Sequence, residues 1–195
     1  MNAGPQTDER LLAAHARGDP QAMDRLLSRH REKLRRFLAW RTEADAADVE
    51  DLVQEVCLQA LRSSGGFEGR SRFRTWLYGV AENVGRTWIR GRVRQRRVLV
   101  DAGGEEMEQV AETEPHRGPD ALTILETAET HRHVRVAVDR LAPEQRQVLL
   151  LVDWEELSYA EIGTVLDIPV GTVKSRVHHA RLNLARTLKD VREGR

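Results

Sequence analysis

The sequence predicts an all-α protein built as two small helical domains joined by an acidic, flexible linker. Three observations lead there. Apolar residues recur at a spacing of about 3.6 from near Asp8 to Arg97, and again from near Asp120 to about Val191. Ala, Leu, Arg and Glu are abundant while aromatic residues make up 5%, a composition that favours helix, and no strand-like alternation runs long enough to build a sheet. Between the periodic stretches lie Gly103-Gly104, Pro115, Gly118 and Pro119 among acidic residues, which reads as a tether. The expected organisation is a first domain over 8–97, a linker over 98–130 and a second domain over 131–191.

Bulk properties narrow the class. No apolar run approaches the ~20 residues that span a bilayer, so no membrane insertion is expected. The polar stretch Met1 to Arg10 has no secretory apolar segment. The single cysteine, Cys57, has no internal disulfide partner, which fits a reducing cytoplasm. The formal net charge of +0 conceals segregation. Ten arginines face two acids between Arg62 and Arg97, nine acids face Arg117 alone between Asp101 and Glu129, and seven Lys or Arg face two acids after Val170. Two basic blocks flanking an acidic one point to two contacts with a single polyanion, with solvated helix faces as the plainer alternative.

In the first domain, Val49, Leu52, Val53, Val56 and Ala60 share one helical face, leaving Asp51, Glu55 and Arg62 on other faces. Ser63 to Gly69 is too glycine-rich for comfortable helix and reads as a loop carrying an exposed aromatic, Phe67. A helix is expected from about Arg72, with Phe73, Leu77, Val80 and Val84 toward the core. On the same helix Arg72, Gly79, Asn83, Arg86 and Arg90 project within roughly 60° of one another, and Trp76 borders them. Arginines for phosphates, an amide for a base edge and an indole for stacking are the parts of a single-strand binding surface.

In the second domain Ser158-Tyr159-Ala160-Glu161 has capping-box form and opens a helix burying Ile162, Val165 and Leu166. Asp167-Ile168-Pro169 breaks it, with the proline suited to the first turn of the helix that follows. That helix turns Val173, Val177, Ala180, Leu184 and Leu188 inward, and Gly171, Ser175, His178 and His179 outward with Thr172 and Lys174 at the flanks. This is a helix-turn-helix pattern. Helices around Val134 to Leu141 and Pro143 to Val152 would complete a four-helix domain.

Other classes fit less well. No phosphate loop, nucleophile motif or paired carboxylates mark an enzyme, and the acids Asp48, Glu50 and Asp51 fall on a solvated face. His131, His133, His178 and Cys57 match no zinc spacing, and no metal or cofactor is expected. A conventional helix-turn-helix repressor or activator accounts for Ser158 to Leu188 but not for the Phe67 loop or the arginine stripe.

Two motif sets carry a family resemblance. Asp51-Leu52-Val53-Gln54-Glu55-Val56 and Phe73-Arg74-Thr75-Trp76-Leu77-Tyr78 resemble the second conserved region of bacterial sigma-70 proteins. Leu157 to Ile162 and Pro169 to Arg176 resemble the fourth. With only these two regions and a short linker, the chain is similar to extracytoplasmic-function sigma factors. The resemblance implies an alternative sigma factor that binds core RNA polymerase and directs promoter recognition and melting. It implies that the helix of Asp51, Gln54 and Glu55 docks on the β′ clamp helices, with the β flap as a further contact. Phe67, Arg72, Trp76, Asn83, Arg86 and Arg90 would serve the −10 element, a flipped base being held near Phe67 and Asn83. Thr172, Lys174, Ser175, Arg176, His178 and His179 would serve the −35 element. The linker would thread toward the RNA exit path, and an anti-sigma protein is an expected partner. The chain departs from the family where Glu156 replaces a frequent glycine, Thr87 an aspartate and His179 an arginine.

Overall fold

The computed structural model describes residues 7–67, 69–101 and 133–192, and every regular element among them is helical. The chain divides into two compact units, Met1–Ala111 and Glu112–Arg195. Residues 102–132, with most of the acidic tether and His131, lie outside the described residues.

The first unit holds α1 (Asp8–Ala16), α2 (Pro20–Thr42), α3 (Ala46–Ser63) and α4 (Phe73–Asp101). Each of the first three starts on a side chain that accepts from an orphan backbone N–H: Thr7 from Arg10, Asp19 from Gln21 and Asp45 from Asp48. α2 stops where Glu43 turns left-handed and donates its N–H to the Ala39 carbonyl. The core gathers Leu11, Leu26, Leu34, Phe37, Leu38, Val53, Val56, Leu77, Tyr78 and Ala81, all almost wholly buried. Each large apolar side chain there contributes about 1.5–3 kcal/mol. The buried face of α4 is wider than the expected stripe. Tyr78 and Ala81 are buried with Phe73, Leu77 and Val84, while Val80 is only half-buried. The reason is that α4 packs on both α2 and α3, so residues flanking the stripe are covered too. α4 also continues to Asp101, past the Arg97 where the apolar periodicity ends.

Glu82 fixes the rotation of α4. Its carboxylate is buried, accepts from Arg41 Nε at 2.8 Å and Nη2 at 3.0 Å, and from Arg86 at 3.3 Å. One turn on, a Cβ at Gly85 would sit 3.3 Å from Arg41 Cγ and 3.4 Å from Thr42 Cγ2, so α4 approaches the end of α2 closely. Arg31 on α2 pairs with Glu50 on α3, and Arg92 on α4 reaches Asp48 on α3 at 3.8 Å. Two of the three acids expected on a solvated face of α3 are therefore half-buried and paired; of the three, Asp51 alone is exposed.

The second unit holds α5 (residues 133–139), α6 (Pro143–Leu149), α7 (Tyr159–Leu166) and α8 (Val170–Arg192). α6 runs into a wider π-type turn, Leu150–Trp154. Arg146 is buried and donates to the carbonyls of Asp139 (2.6 Å) and Leu141 (3.4 Å), closing the α5–α6 corner. The capping box at Ser158 forms as expected: its hydroxyl accepts from Glu161 N–H while the Glu161 carboxylate accepts from Ser158 N–H at 2.9 Å. α7 ends on left-handed Asp167, whose N–H donates to the Gly163 carbonyl. Gly163 is required by the turn, since a Cβ there would stand 3.0 Å from the Ile168 carbonyl oxygen. Pro169 precedes α8 instead of lying within its first turn, its carbonyl accepting from Thr172 and Val173. Val173, Val177 and Ala180 are buried, whereas Leu184 and Leu188 are half-buried, because α8 outruns the helices it packs against. Asn183 Nδ2 donates to Gln145 Oε1 at 2.9 Å, holding α8 on α6.

Candidate nucleic-acid interface

Phe67 is not the free aromatic the glycine-rich loop predicts. A short 3₁₀ turn, Ser64–Gly66, brings it back onto the start of α4. There its ring lies 6.0 Å from Phe73 and 5.2 Å from Trp76, half-buried, with Phe73 and Trp76 themselves 5.5 Å apart. His30 backs this cluster, 5.7 Å from Phe73, and its Nε2 hydrogen-bonds Asp8 at 2.7 Å. The lesson for the loop is physical: an aromatic next to glycines finds cover when the chain reverses onto an aromatic helix start. Trp76 is half-buried, so one part of the indole packs and the rest stays open to a stacking partner.

The arginine stripe on α4 divides in two. Arg72, just before the helix, and Arg90 are exposed and make no ion pair among the described residues. Asn83 is exposed too, its carbonyl accepting from the Thr87 hydroxyl while its amide is left to solvent. Arg86, by contrast, is half-buried and holds buried Glu82. It serves the fold first and has donors to spare for a phosphate. Arg92 stacks over Trp88 at 5.0 Å, so the second tryptophan of α4 carries a cation on its face.

On α3, Asp51 and Gln54 are exposed, and Glu55 is half-buried and accepts from Gln59 at 2.8 Å. Leu58 and Leu61 continue the same face at helical spacing and are 46% and 39% exposed. Sequence reasoning passed over them, although both fall outside the buried register of Val49, Val53, Val56 and Ala60. Cys57 is half-buried beside them; burial pushes its thiol up, partly opposed by Arg31, which disfavours the reactive thiolate.

In the second unit the outward face of α8 presents Lys174, Ser175, His178 and His179, all exposed, with Thr172 and Arg176 half-buried at its edges. The two imidazoles are 5.5 Å apart. Beside them lies a groove of about 360 Å³ lined by Tyr159, Lys174, Val177, His178, Arg181 and Leu182. Arg181, absent from the expected set, donates to Asp153 at 2.6 Å and is held further in its charged form by that hydrogen bond and charge, with Tyr159 adding to both. Its clue in the sequence is its place two residues beyond His179, two turns on from Lys174 and one from His178. Among the described residues no group of three His, Cys, Asp or Glu could hold a metal, and no helix is long and apolar enough to cross a membrane.

Comparison with known proteins matches both units. The family model for Sigma-70 region 2 covers residues 26–95, and that for Sigma-70 region 4 covers residues 131–184. The RNA polymerase sigma-H factor of Pseudomonas aeruginosa is 32% identical over 191 residues, 94% of this chain and 95% of that protein. The chain belongs to the sigma-70 family, among its extracytoplasmic-function sigma factors. The ECF RNA polymerase sigma-E factor of Escherichia coli is 33% identical over 178 residues, 90% of this chain and 91% of its own. A solved structure of the sigma factor RpoE with the anti-sigma factor NepR from Bartonella quintana matches with a TM-score of 0.65 at 26% identity, covering 87% of this chain and 98% of that one.

As an alternative sigma factor, the chain directs transcription initiation. A free-standing repressor would leave the region 2 match, and the aromatic corner and arginine face within it, without a purpose. One departure from the family finds its physical setting. Glu156, where the family resemblance leads one to expect a glycine, sits at φ 51, a left-handed backbone that glycine adopts without strain.

Proposed function

We propose that the first unit docks on polymerase and opens the −10 element while the second holds the −35 element, the acidic segment over 98–130 joining domains at 8–97 and 131–191. The observation that carries this reading is the open face of α4: Asn83 and the exposed edge of Trp76 lie between Arg72 and Arg90, two arginines with no ion pair among the described residues. Phe67 braces Trp76, so the indole is a rigid platform on which a base stacks. Arg72, Arg86 and Arg90 bind phosphates of the separated strand, and the Asn83 amide reads a base edge.

Asp51, Gln54 and Glu55 meet the β′ clamp helices, with Leu58 and Leu61 supplying an apolar contact on the same face. On the −35 duplex, Lys174, Ser175, Arg176, His178 and His179 face the major groove with Thr172 at its edge. Region 4 also rests on the β flap. An anti-sigma protein keeps these surfaces idle, a reading supported by the likeness to a sigma factor solved with NepR. The work is done in the cytoplasm, without a cofactor.

Purified chain added to core polymerase should give discrete run-off transcripts from some genomic fragments, with start sites mapped by primer extension. A chain that does not associate with core polymerase would overturn the proposal.

A further inference from the structure

We propose that Gly79 is a specificity determinant of promoter opening, leaving a notch on α4 between Trp76 and Asn83 that admits a single unstacked nucleobase. The inference rests on the −10 reading above and extends it to a residue with no side chain of its own.

Glycine inside a helix is disfavoured, and the usual reason to keep one is close packing. Gly85 and Gly163 have that reason, since a Cβ would meet Arg41 Cγ at 3.3 Å in the first case and a backbone oxygen at 3.0 Å in the second. Gly79 does not: a Cβ there meets nothing within 4 Å, and its φ lies outside the left-handed region. The fold would accept a side chain. What sets the position apart is its neighbours. Trp76, Gly79 and Asn83 follow at spacings of three and four residues and share one face of α4. Gly91 is equally open, but it projects about 80° away from Asn83.

Side chains on a helix lean toward its N-terminus. The Trp76 indole accordingly packs back against Phe67 and Phe73, at 5.2 and 5.5 Å, and away from Gly79. Asn83, two turns further on, leans back toward Gly79. About 10.5 Å of helix axis separates Trp76 from Asn83, and at Gly79 the floor of that interval is bare backbone. A planar base entering there has an aromatic ring at one end and an amide at the other. The exposed guanidinium groups of Arg72 and Arg90 lie beyond the two ends for its flanking phosphates. Any Cβ or longer side chain at position 79 would fill the floor.

The test uses holoenzyme reconstituted from core polymerase and the full chain, with the single-stranded −10 strand of a promoter mapped by run-off transcription. Abasic sites are placed in turn along the strand. The parent should bind the intact strand about tenfold or more better than the strand abasic at the captured position, one stacked base's worth. Gly79→Ala should raise the melting midpoint of the chain by about 4 °C, the gain from alanine in a helix, yet erase that preference for the intact base. Gly79→Ala that keeps the parent's preference overturns the inference. Asn83→Ala in the same assay separates the two readings. If it weakens binding while Gly79→Ala does not, only the notch fails; if neither variant has an effect, the −10 reading of α4 fails with it.

Discussion

Replacing Glu82 by Gln should loosen α4, the helix proposed to carry the −10 surface, and the size of the effect follows from its contacts. The Glu82 side chain is 2% exposed and accepts two hydrogen bonds from Arg41, whose side chain is 18% exposed. Bonds to an ionised group are worth about 1.5–3 kcal/mol against about 0.5–1.5 for neutral ones, so two of them lose about 2 kcal/mol when the charge goes. The Arg86 contact adds little, being 3.3 Å long and from a side chain 36% exposed. Arg41 is left as a mostly buried cation without its counter-charge, which brings the expected loss to about 2–3 kcal/mol. That is a large part of a small domain's stability of about 5–15 kcal/mol. Urea unfolding followed by tryptophan fluorescence measures it. A Trp154→Phe background leaves Trp40, Trp76 and Trp88 to report on the first unit alone. Glu82→Met combined with Arg41→Met removes both charges and should lie within about 1 kcal/mol of the parent, as apolar replacements of buried pairs do. A Glu82→Gln midpoint equal to the parent's, or a double variant no better than the single, would refute the reasoning.

Three further outcomes follow from other parts of the chain. Glu156→Gly should stabilise the second unit by about 0.5–1 kcal/mol, because left-handed backbone costs a non-glycine residue about 1–2 kcal/mol and glycine's extra unfolded freedom offsets part of the gain; thermal unfolding checks it, and a destabilised variant would contradict it. Asp51→Lys with Glu55→Lys should weaken core polymerase binding by tenfold or more while helicity by circular dichroism is retained, since opposed like charges at an interface cost several kcal/mol; unchanged affinity would place docking elsewhere. Arg181→Ala should lower the slope of log affinity for −35 duplex against log salt by about one, the mark of one lost phosphate contact, with Arg181→Lys restoring it; a parent-like slope in the alanine variant would make the pair with Asp153 purely structural.

What the sequence disclosed and what it concealed follow from how local each feature is. Capping at Ser158 depends on residues three apart, and the break at Asp167 to Pro169 depends on the neighbours themselves, so both could be read directly. The buried faces of α3 and of the first turns of α8 followed from helical spacing for the same reason. The cover over Phe67 was not legible, because it comes from Phe73 and Trp76 beyond a glycine turn whose direction no local pattern states. Nor was the engagement of Arg86: it hangs on Glu82 being buried against Arg41, 41 residues away. Surface arginines look alike in a sequence, and only packing separates Arg72 and Arg90, which make no ion pair among the described residues, from Arg86 and Arg181, which pair with Glu82 and Asp153. Leu58 and Leu61 were visible in principle, since two leucines outside a clean buried register signal a second surface.

The claim that α4 holds an unstacked base is tested most directly by promoter melting with Asn83→Ala. Asn83 is exposed, so the change probes recognition with less loss of packing than Phe67→Ala, which removes a ring set against Trp76, would bring. Permanganate reactivity of thymines around the mapped start site reports strand opening by the reconstituted holoenzyme. An amide reading a base edge is worth about 1–3 kcal/mol, so reactivity on the duplex promoter should fall about tenfold. Core binding and transcription from a pre-melted bubble template should stay at the parent's level. Parent-level permanganate reactivity from Asn83→Ala would contradict the account.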